Sequence, residues 1–128
     1  MVKVSVLKQS NYPVKTSDIK KKLSAFFESQ GIVSEAEVSV AIVGKDKMLS
    51  VGKKYLKDKK VHNVLSFTPD EAKGTFAYPP DGMVHLGEII VCYPVAVEEA
   101  KEENVLVGEK VYELIEHGAM HLLGFHHK

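Results

Sequence analysis

From His117 to His127 the chain reads HGAMHLLGFHH, which sets three imidazoles at fixed intervals. His117 and His121 are four residues apart, so on an α-helix one stands above the other on the same face. Gly124 follows three residues later, and glycine takes the left-handed backbone that ends a helix and turns the chain back. Three residues further on, His127 is placed to face the first two. The pattern therefore requires a helix that ends near residue 123 with both histidines in its last turns. Three neutral imidazoles with a fourth position left to water are the donor set of a catalytic zinc site, whereas a structural site is closed. The competing reading is a His-rich helix end that complements the negative end of the helix dipole. His126 competes with His127 as third ligand, and the spacing after Gly124 favours His127.

The rest of the chain has to build a scaffold for that helix. With 128 residues and 45% hydrophobic content, residues 1–128 read as one domain with its own core. Met1 to Lys8 alternates with strand period and reads as a first strand, not a signal peptide. After a break at Asn11, Tyr12 and Pro13, Thr16 or Ser17 is placed to cap a helix through Ile19, Leu23, Phe26 and Phe27 that ends at Gly31. A strand is expected from Glu37 to Val43, then a short helix through Met48, Leu49 and Leu56 that tolerates Gly52. Another strand is expected from Val61 to Phe67, bringing Asn63 and Ser66 towards the cleft.

Thr68 to Val84 contains Pro69, Gly74, Pro79, Pro80 and Gly82 and reads as a long connection, of the kind that often serves as a lid or binding loop. Leu86 to Tyr93 is near-continuously apolar and suggests a buried strand. Pro94 suits the first turn of a helix to Glu103, with Glu98, Glu99, Lys101, Glu102 and Glu103 as its wet face. Val107 to Leu123 is the closing helix, with Val111, Leu114 and Ile115 as apolar contacts. Strands interleaved with helices predict an α+β fold, a small mixed β-sheet packed with helices, with a zincin-like three-His metal site at the C-terminal helix.

Seventeen basic residues balance seventeen acidic ones, so no global field draws the chain to nucleic acid and any RNA contact must be local. Lys53, Lys54, Lys57, Lys59 and Lys60, beside Tyr55 and interrupted by Asp58, form the candidate patch; a solvated helix end has the same composition. Lys20, Lys21 and Lys22 read as a solvent face. The single cysteine, Cys92, excludes an internal disulfide framework and fits a reducing compartment, and its place in the Ile89 to Cys92 run marks it as core. His62 and His85 read as loop or strand-end histidines. No apolar run approaches the length of a membrane helix.

Metzincin proteases share the histidine spacing but place a Glu directly after the first His as general base, and here that position is Gly118. Glu116 precedes His117, and one step along a helix turns it about 100° away. It reads as a surface or supporting carboxylate, and peptide hydrolysis loses its usual base.

The C-terminal motif resembles that of the YbeY family, metal-dependent endoribonucleases of bacterial ribosome maturation, whose hallmark is HGxLHLxGxDH. His117, Gly118, His121, Leu122, Gly124 and His127 match; Met120 replaces a Leu and His126 stands where the family has Asp. Asn63 to Phe67, NVLSF, is similar to the family's T-[DN]-VLSFP segment, with His62 for the Thr and Thr68-Pro69 for the Pro. Leu86 to Val91, LGEIIV, is similar to its LGDIxIS strand, so the resemblance spans nearly the whole chain. One departure stands out. Where the family carries an Arg tied to RNA cleavage, Tyr55 is followed by Leu56. Lys57, one residue on, supplies a point charge, whereas a guanidinium binds phosphate bidentately.

The resemblance implies a single-strand-specific, metal-dependent endoribonuclease in the cytoplasm. Its work would be ribosomal RNA processing at the small-subunit rRNA 3′ end, and ribosome quality control. The partners implied are ribosomal RNA and the small ribosomal subunit, with no membrane and no DNA. His117, His121 and His127 would hold one divalent metal, Zn2+ by donor softness and open tetrahedral pattern, with Ni2+ as the alternative. The imidazoles must be neutral to bind it, so metal-dependent activity is expected to fall on acidification. Lys57, Asn63 and Ser66 are the candidate substrate-binding residues, Asn63 or Ser66 to orient phosphate or ribose and Lys57 to offset its charge; no catalytic side chain is assigned. Two other readings stay open. One is a non-protease metallohydrolase of another substrate. The other is a ribosome-associated metal-binding protein without strong nuclease activity, which Leu56 and the zero net charge favour.

Overall fold

A computed structural model describes residues 1–72 and 82–124. Within them the elements run β1 (Val2–Lys8), α1 (Thr16–Ser29), β2 (Ala36–Val43), α2 (Lys45–Tyr55), β3 (Val64–Phe67), β4 (Val84–Cys92), α3 (Tyr93–Glu103) and α4 (Val107–Leu122). The strands form one sheet in the order β1-β2-β4-β3. β1 and β2 are parallel, β2 and β4 are parallel, and β3 runs antiparallel to β4. The expected α+β class and mixed sheet are both present.

Side chains alternate across a strand, so the central strands β2 and β4 feed two cores, whereas the second face of the edge strand β1 is exposed. Val2, Val4, Val38, Val40, Ile42, Ile89 and Val91 point to one face, where they bury Ile19, Leu23 and Phe27 of α1 and Val111, Leu114 and Ile115 of α4. Val43, Phe67, Ile90 and Cys92 point to the other, against Met48 and Val51 of α2. Fully buried side chains such as Phe27, Leu23 and Ile115 each contribute about 1.5–3 kcal/mol of transfer free energy. Cys92 belongs to the α2-side core, as expected of an apolar-run cysteine, and burial pushes its thiol above the usual range.

The element boundaries differ from expectation where tertiary contacts intervene. Lys15 occupies the N-cap of α1 and no side chain caps it, so neither Thr16 nor Ser17 takes that role; Thr16 is already helical. β3 begins at Val64, not Val61, because the preceding residues fold into a turn. Asp58 accepts from the Lys60 N–H at 3.3 Å and lies 2.8 Å from His62 Nε2. Gly52 explains itself there, since a methyl group on it would lie 2.9 Å from Asp58 Oδ1. Nor is the acidic face of α3 wholly wet. Lys110 of α4, buried, reaches Glu103 at 2.8 Å, Glu113 at 3.4 Å and Glu99 at 3.6 Å, so the buried ammonium has partners.

β4 starts at Val84, two residues before the expected boundary, and takes His85 into the strand, where its Nδ1 lies 2.8 Å from Glu37 Oε1. The register shifts here: Glu37 faces His85 and Val38 faces Gly87, with Leu86 as the extra residue. Nearby, burial and the neighbouring Glu37 hold the Glu88 carboxyl above its usual range, against a hydrogen bond from Ser39. A carboxyl whose folded-state pKa is raised binds its proton more tightly in the folded than in the unfolded chain. Stability is therefore lost as pH rises from the ordinary value of 4.5 through the folded one. Glu88→Gln is expected to raise the melting temperature at pH 7 and to leave it unchanged near pH 3. Melting curves at the two pH values check this, and an equal shift at both would refute the ionisation argument.

Candidate functional site

The last turns of α4 carry His117 and His121 as the spacing requires, and the helix closes at Leu122. The Gly124 N–H donates to the His121 carbonyl at 2.9 Å, and Gly124 adopts φ +90°, the left-handed turn expected of it. His126 and His127 lie outside the described residues, as do Gly74, Pro79 and Pro80 of the long connection.

Gly118 decides how this helix end sits on the sheet. A methyl group at Gly118 would lie 2.8 Å from Ile89 Cγ2 and 3.4 Å from Ser66 Cβ. Backbone and sheet thus meet where a protease would carry its Glu, and a side chain at this position would begin against Ile89. The close approach sets His117 and His121 at the rim, opposite the end of β3. There Leu56, Ser66, Glu71, His117, Gly118 and His121, with the other residues of β3, line a cleft of about 260 Å³. A second cleft of about 490 Å³ continues past His117, lined by Asn63, Val64, Lys110, Glu113, Glu116 and Met120. His117 and Val64 line both, so the two form one groove along the end of α4.

The candidate substrate-binding residues separate. Ser66 lies in the cleft with both histidines. Asn63 lines the second cleft, where its amide donates to the Glu99 carboxylate at 3.2 and 3.3 Å and its Oδ1 accepts from the Val64 N–H at 2.7 Å. Lys57 is exposed, with φ +54°, just past α2; its neighbour Leu56 is the residue that lines the first cleft. Glu116 lines the second cleft beside His117, apart from the cleft that holds His121.

Glu71 was not singled out from the sequence. Its carboxylate lies 3.1 and 3.3 Å from His121 Nε2. It is held there by a reciprocal pair of bonds: the Thr68 N–H donates to Glu71 Oε1 at 2.9 Å and the Glu71 N–H donates to Thr68 Oγ1 at 3.3 Å. The Ala72 N–H closes the turn onto the Thr68 carbonyl at 3.0 Å. This is the S/T-x-x-E capping box, and Thr68-Pro69-Asp70-Glu71 shows it in the sequence. Burial pushes the Glu71 carboxyl up, but the Thr68 N–H and His121 together outweigh it and hold it below the usual range. An ionised carboxylate and two imidazoles thus line one cleft, donors that suit a divalent ion of borderline softness. Among the described residues no three such side chains are close enough together to hold an ion, and His127, the third expected ligand, is not among them.

The family model described as Endoribonuclease YbeY matches residues 6–128. Similar curated proteins include two named Endoribonuclease YbeY. That of Francisella philomiragia is 28% identical over 125 residues, covering 97% of this chain and 77% of the relative. That of Dehalococcoides mccartyi is 32% identical over 121 residues, covering 89% and 70%. A Thermotoga maritima protein solved in solution shares the fold, with a TM-score of 0.57 at 23% identity, covering 98% of this chain and 75% of that one. Among the described residues no helix is long and apolar enough to cross a membrane.

Proposed function

This chain belongs to the endoribonuclease YbeY family, and from that premise we propose that it hydrolyses single-stranded RNA with one divalent metal held by His117, His121 and His127. The substrate in this reading is ribosomal RNA at the small subunit, cut during 3′-end maturation and ribosome quality control in the cytoplasm. The observation that carries it is the rim of the first cleft. His117 and His121 stand on one helix face, Ser66 lines the same cleft from β3, and Gly124 ends the helix in the left-handed conformation.

Zn2+ suits these donors, with Ni2+ as the alternative, and when bound it supplies Lewis-acid polarisation and a nucleophile at neutral pH. The chain's own residues do the rest. The groove along α4 gives a strand a path past His117, and in this reading Ser66, which lines the cleft, donates its hydroxyl to a phosphate oxygen. Asn63, tied to Glu99 and to the start of β3, holds the wall of that path, and in this reading Lys57, one residue beyond the cleft-lining Leu56, offsets charge on the substrate. Peptide hydrolysis is disfavoured because Gly118 packs on Ile89.

The test is elemental analysis of protein purified without added metal, together with cleavage of a single-stranded RNA, for the wild type and for His117→Ala, His121→Ala and His127→Ala. About one equivalent of zinc or nickel is expected, lost in each variant, with cleavage reduced at least ~100-fold. Metal content and cleavage unchanged by all three substitutions would overturn the assignment. A second reading is favoured by Leu56, 47% exposed, lining the cleft where the resemblance implies a cation. In it the protein is a ribosome-associated metal-binding protein with weak nuclease activity, and metal would be present while cleavage stays low in the wild type.

A further inference from the structure

Two clefts meet at His117, and the chemistry proposed above centres on the first. The second, of about 490 Å³, is large enough to take one nucleoside. We propose that it is a nucleobase pocket, which selects unpaired guanine beside the scissile phosphate. This inference rests on the reading of the neighbouring cleft as an RNA-cleaving metal centre and adds the base that the site recognises.

The wall of the pocket is apolar. Val64 of β3 and Leu114 and Met120 of α4 line it, and a methionine thioether makes favourable contacts with aromatic rings. A base splayed out of a single strand exchanges stacking on its neighbours for such a surface. His117 and Val64 belong to both clefts, so a base seated here keeps its phosphate next to the histidines.

The polar groups decide which base enters. The ammonium and amide donors of this cleft are engaged: Lys110 reaches Glu103 at 2.8 Å, Glu113 at 3.4 Å and Glu99 at 3.6 Å, and the Asn63 amide donates to Glu99 at 3.2 and 3.3 Å. Glu116, partly buried beside His117, makes no hydrogen bond or ion pair among the described residues. What the cleft offers a ligand is therefore a carboxylate acceptor, and a carboxylate accepts two parallel N–H bonds.

Guanine alone among the four RNA bases sets two donors side by side on its Watson–Crick edge, N1–H and the N2 amino group. Adenine and cytosine set a ring-nitrogen acceptor beside their amino group, and uracil flanks its one N–H with carbonyls. Each would turn a lone pair towards the second carboxylate oxygen. In a duplex the same edge of guanine is occupied, so the pocket admits only an unpaired strand. The negative charge of Glu113 and Glu116 opposes phosphate, which leaves the base and not the backbone to enter. An arginine side chain also offers two parallel N–H groups, but the continuity of this cleft with the one that holds the histidines favours a base of the substrate.

The test reads binding and cleavage separately. The trinucleotides UGU, UIU (inosine lacks the N2 amino group) and UAU are titrated into metal-free, methionine methyl-labelled protein, and the Met120 methyl signal is followed by NMR. Zn2+-loaded protein is then given a uracil-rich single-stranded RNA holding one guanosine or one adenosine. UGU is expected to bind at least ~10-fold more tightly than UIU or UAU, and cleavage to fall next to the guanosine. Glu116→Gln keeps the shape but replaces one acceptor oxygen by an amide donor, the pattern that suits adenine. It is expected to leave the melting temperature unchanged, to lose the preference for UGU and to bind UAU more tightly than the wild type does.

Equal binding of UGU and UAU overturns the proposal, and so does a guanine preference that survives in Glu116→Gln. Arginine amide moving the Met120 signal while UGU does not would also overturn it, making the cleft a seat for a protein partner's guanidinium. Cleavage without base preference removes the pocket and leaves the metal-centre reading intact. Guanine-selective binding that depends on Glu116 in a chain that cuts no RNA keeps the pocket and overturns only the cleavage reading.

Discussion

Gly87→Ala is expected to cost about 4 kcal/mol or more of stability, because among the described glycines it is the one where an added methyl group would meet the closest obstacle. Gly87 has φ +132°, a conformation that side chains rarely adopt, and the new Cβ would lie 2.2 Å from the Phe67 carbonyl oxygen. The obstacle is backbone of the paired strand and has no rotamer by which to yield. Backbone strain of about 1–3 kcal/mol adds to an overpacking cost of similar size. Relief requires β3 to leave β4, breaking the pairing of Phe67 with Glu88 and of Ser66 with Ile89. Leu122 at the end of α4, whose Cδ2 would lie 2.9 Å from the same Cβ, would be displaced as well. Urea unfolding checks this: with a slope of about 2 kcal/mol/M the midpoint falls by about 2 M at unchanged slope. A loss below about 1 kcal/mol would show that the bulge accepts a side chain and that the close approach of β3 is not required.

Gly118→Glu rewrites the histidine motif to the HExxH of a zinc protease, and the expected product is a destabilised protein without peptidase activity. The Cβ vector at this position points at Ile89 and Ser66, so the added side chain would start inside the packed contact between α4 and the sheet. Ile89 is fully buried and has nowhere to retreat. Overpacking costs about 1–3 kcal/mol and an unpaired buried polar group adds a comparable amount, for a loss of roughly 3 kcal/mol or more. Gly118→Ala isolates the packing component. The gain in helix propensity of about 0.8–1 kcal/mol offsets part of it, leaving a net loss of about 1 kcal/mol. Thermal melts of both variants and a casein assay with added zinc decide the matter. A wild-type melting temperature for the Glu variant, or peptidase activity in it, would show that a side chain at position 118 clears Ile89 and would refute the packing argument.

Much of this architecture is legible residue by residue. Alternation in Val2 to Lys8 and in Ala36 to Val43 marks strands because a pleated backbone sends successive side chains to opposite faces. The same alternation gives β2 and β4 two buried sides once helices cover both, which is why the run from Ile89 to Cys92 looks uniformly apolar. His117 and His121 share a helix face by arithmetic alone, and Gly124 ends that helix in the conformation its lack of a Cβ permits. What misled at the local level was competition from distant contacts. The Val61 to His62 end of the expected strand is drawn into the Asp58 turn, and two acidic residues of α3 are claimed by Lys110.

The sequence by itself determined the periodic elements, the helix end and the two stacked imidazoles, because each depends on spacing within a few residues. Only the tertiary structure decided that Gly118 faces the sheet, that Leu56 and not Lys57 lines the cleft, and that Glu71 meets His121 across fifty positions of chain. Those outcomes follow from how strands and helices pack, and packing selects among side-chain directions that local patterns leave equally available.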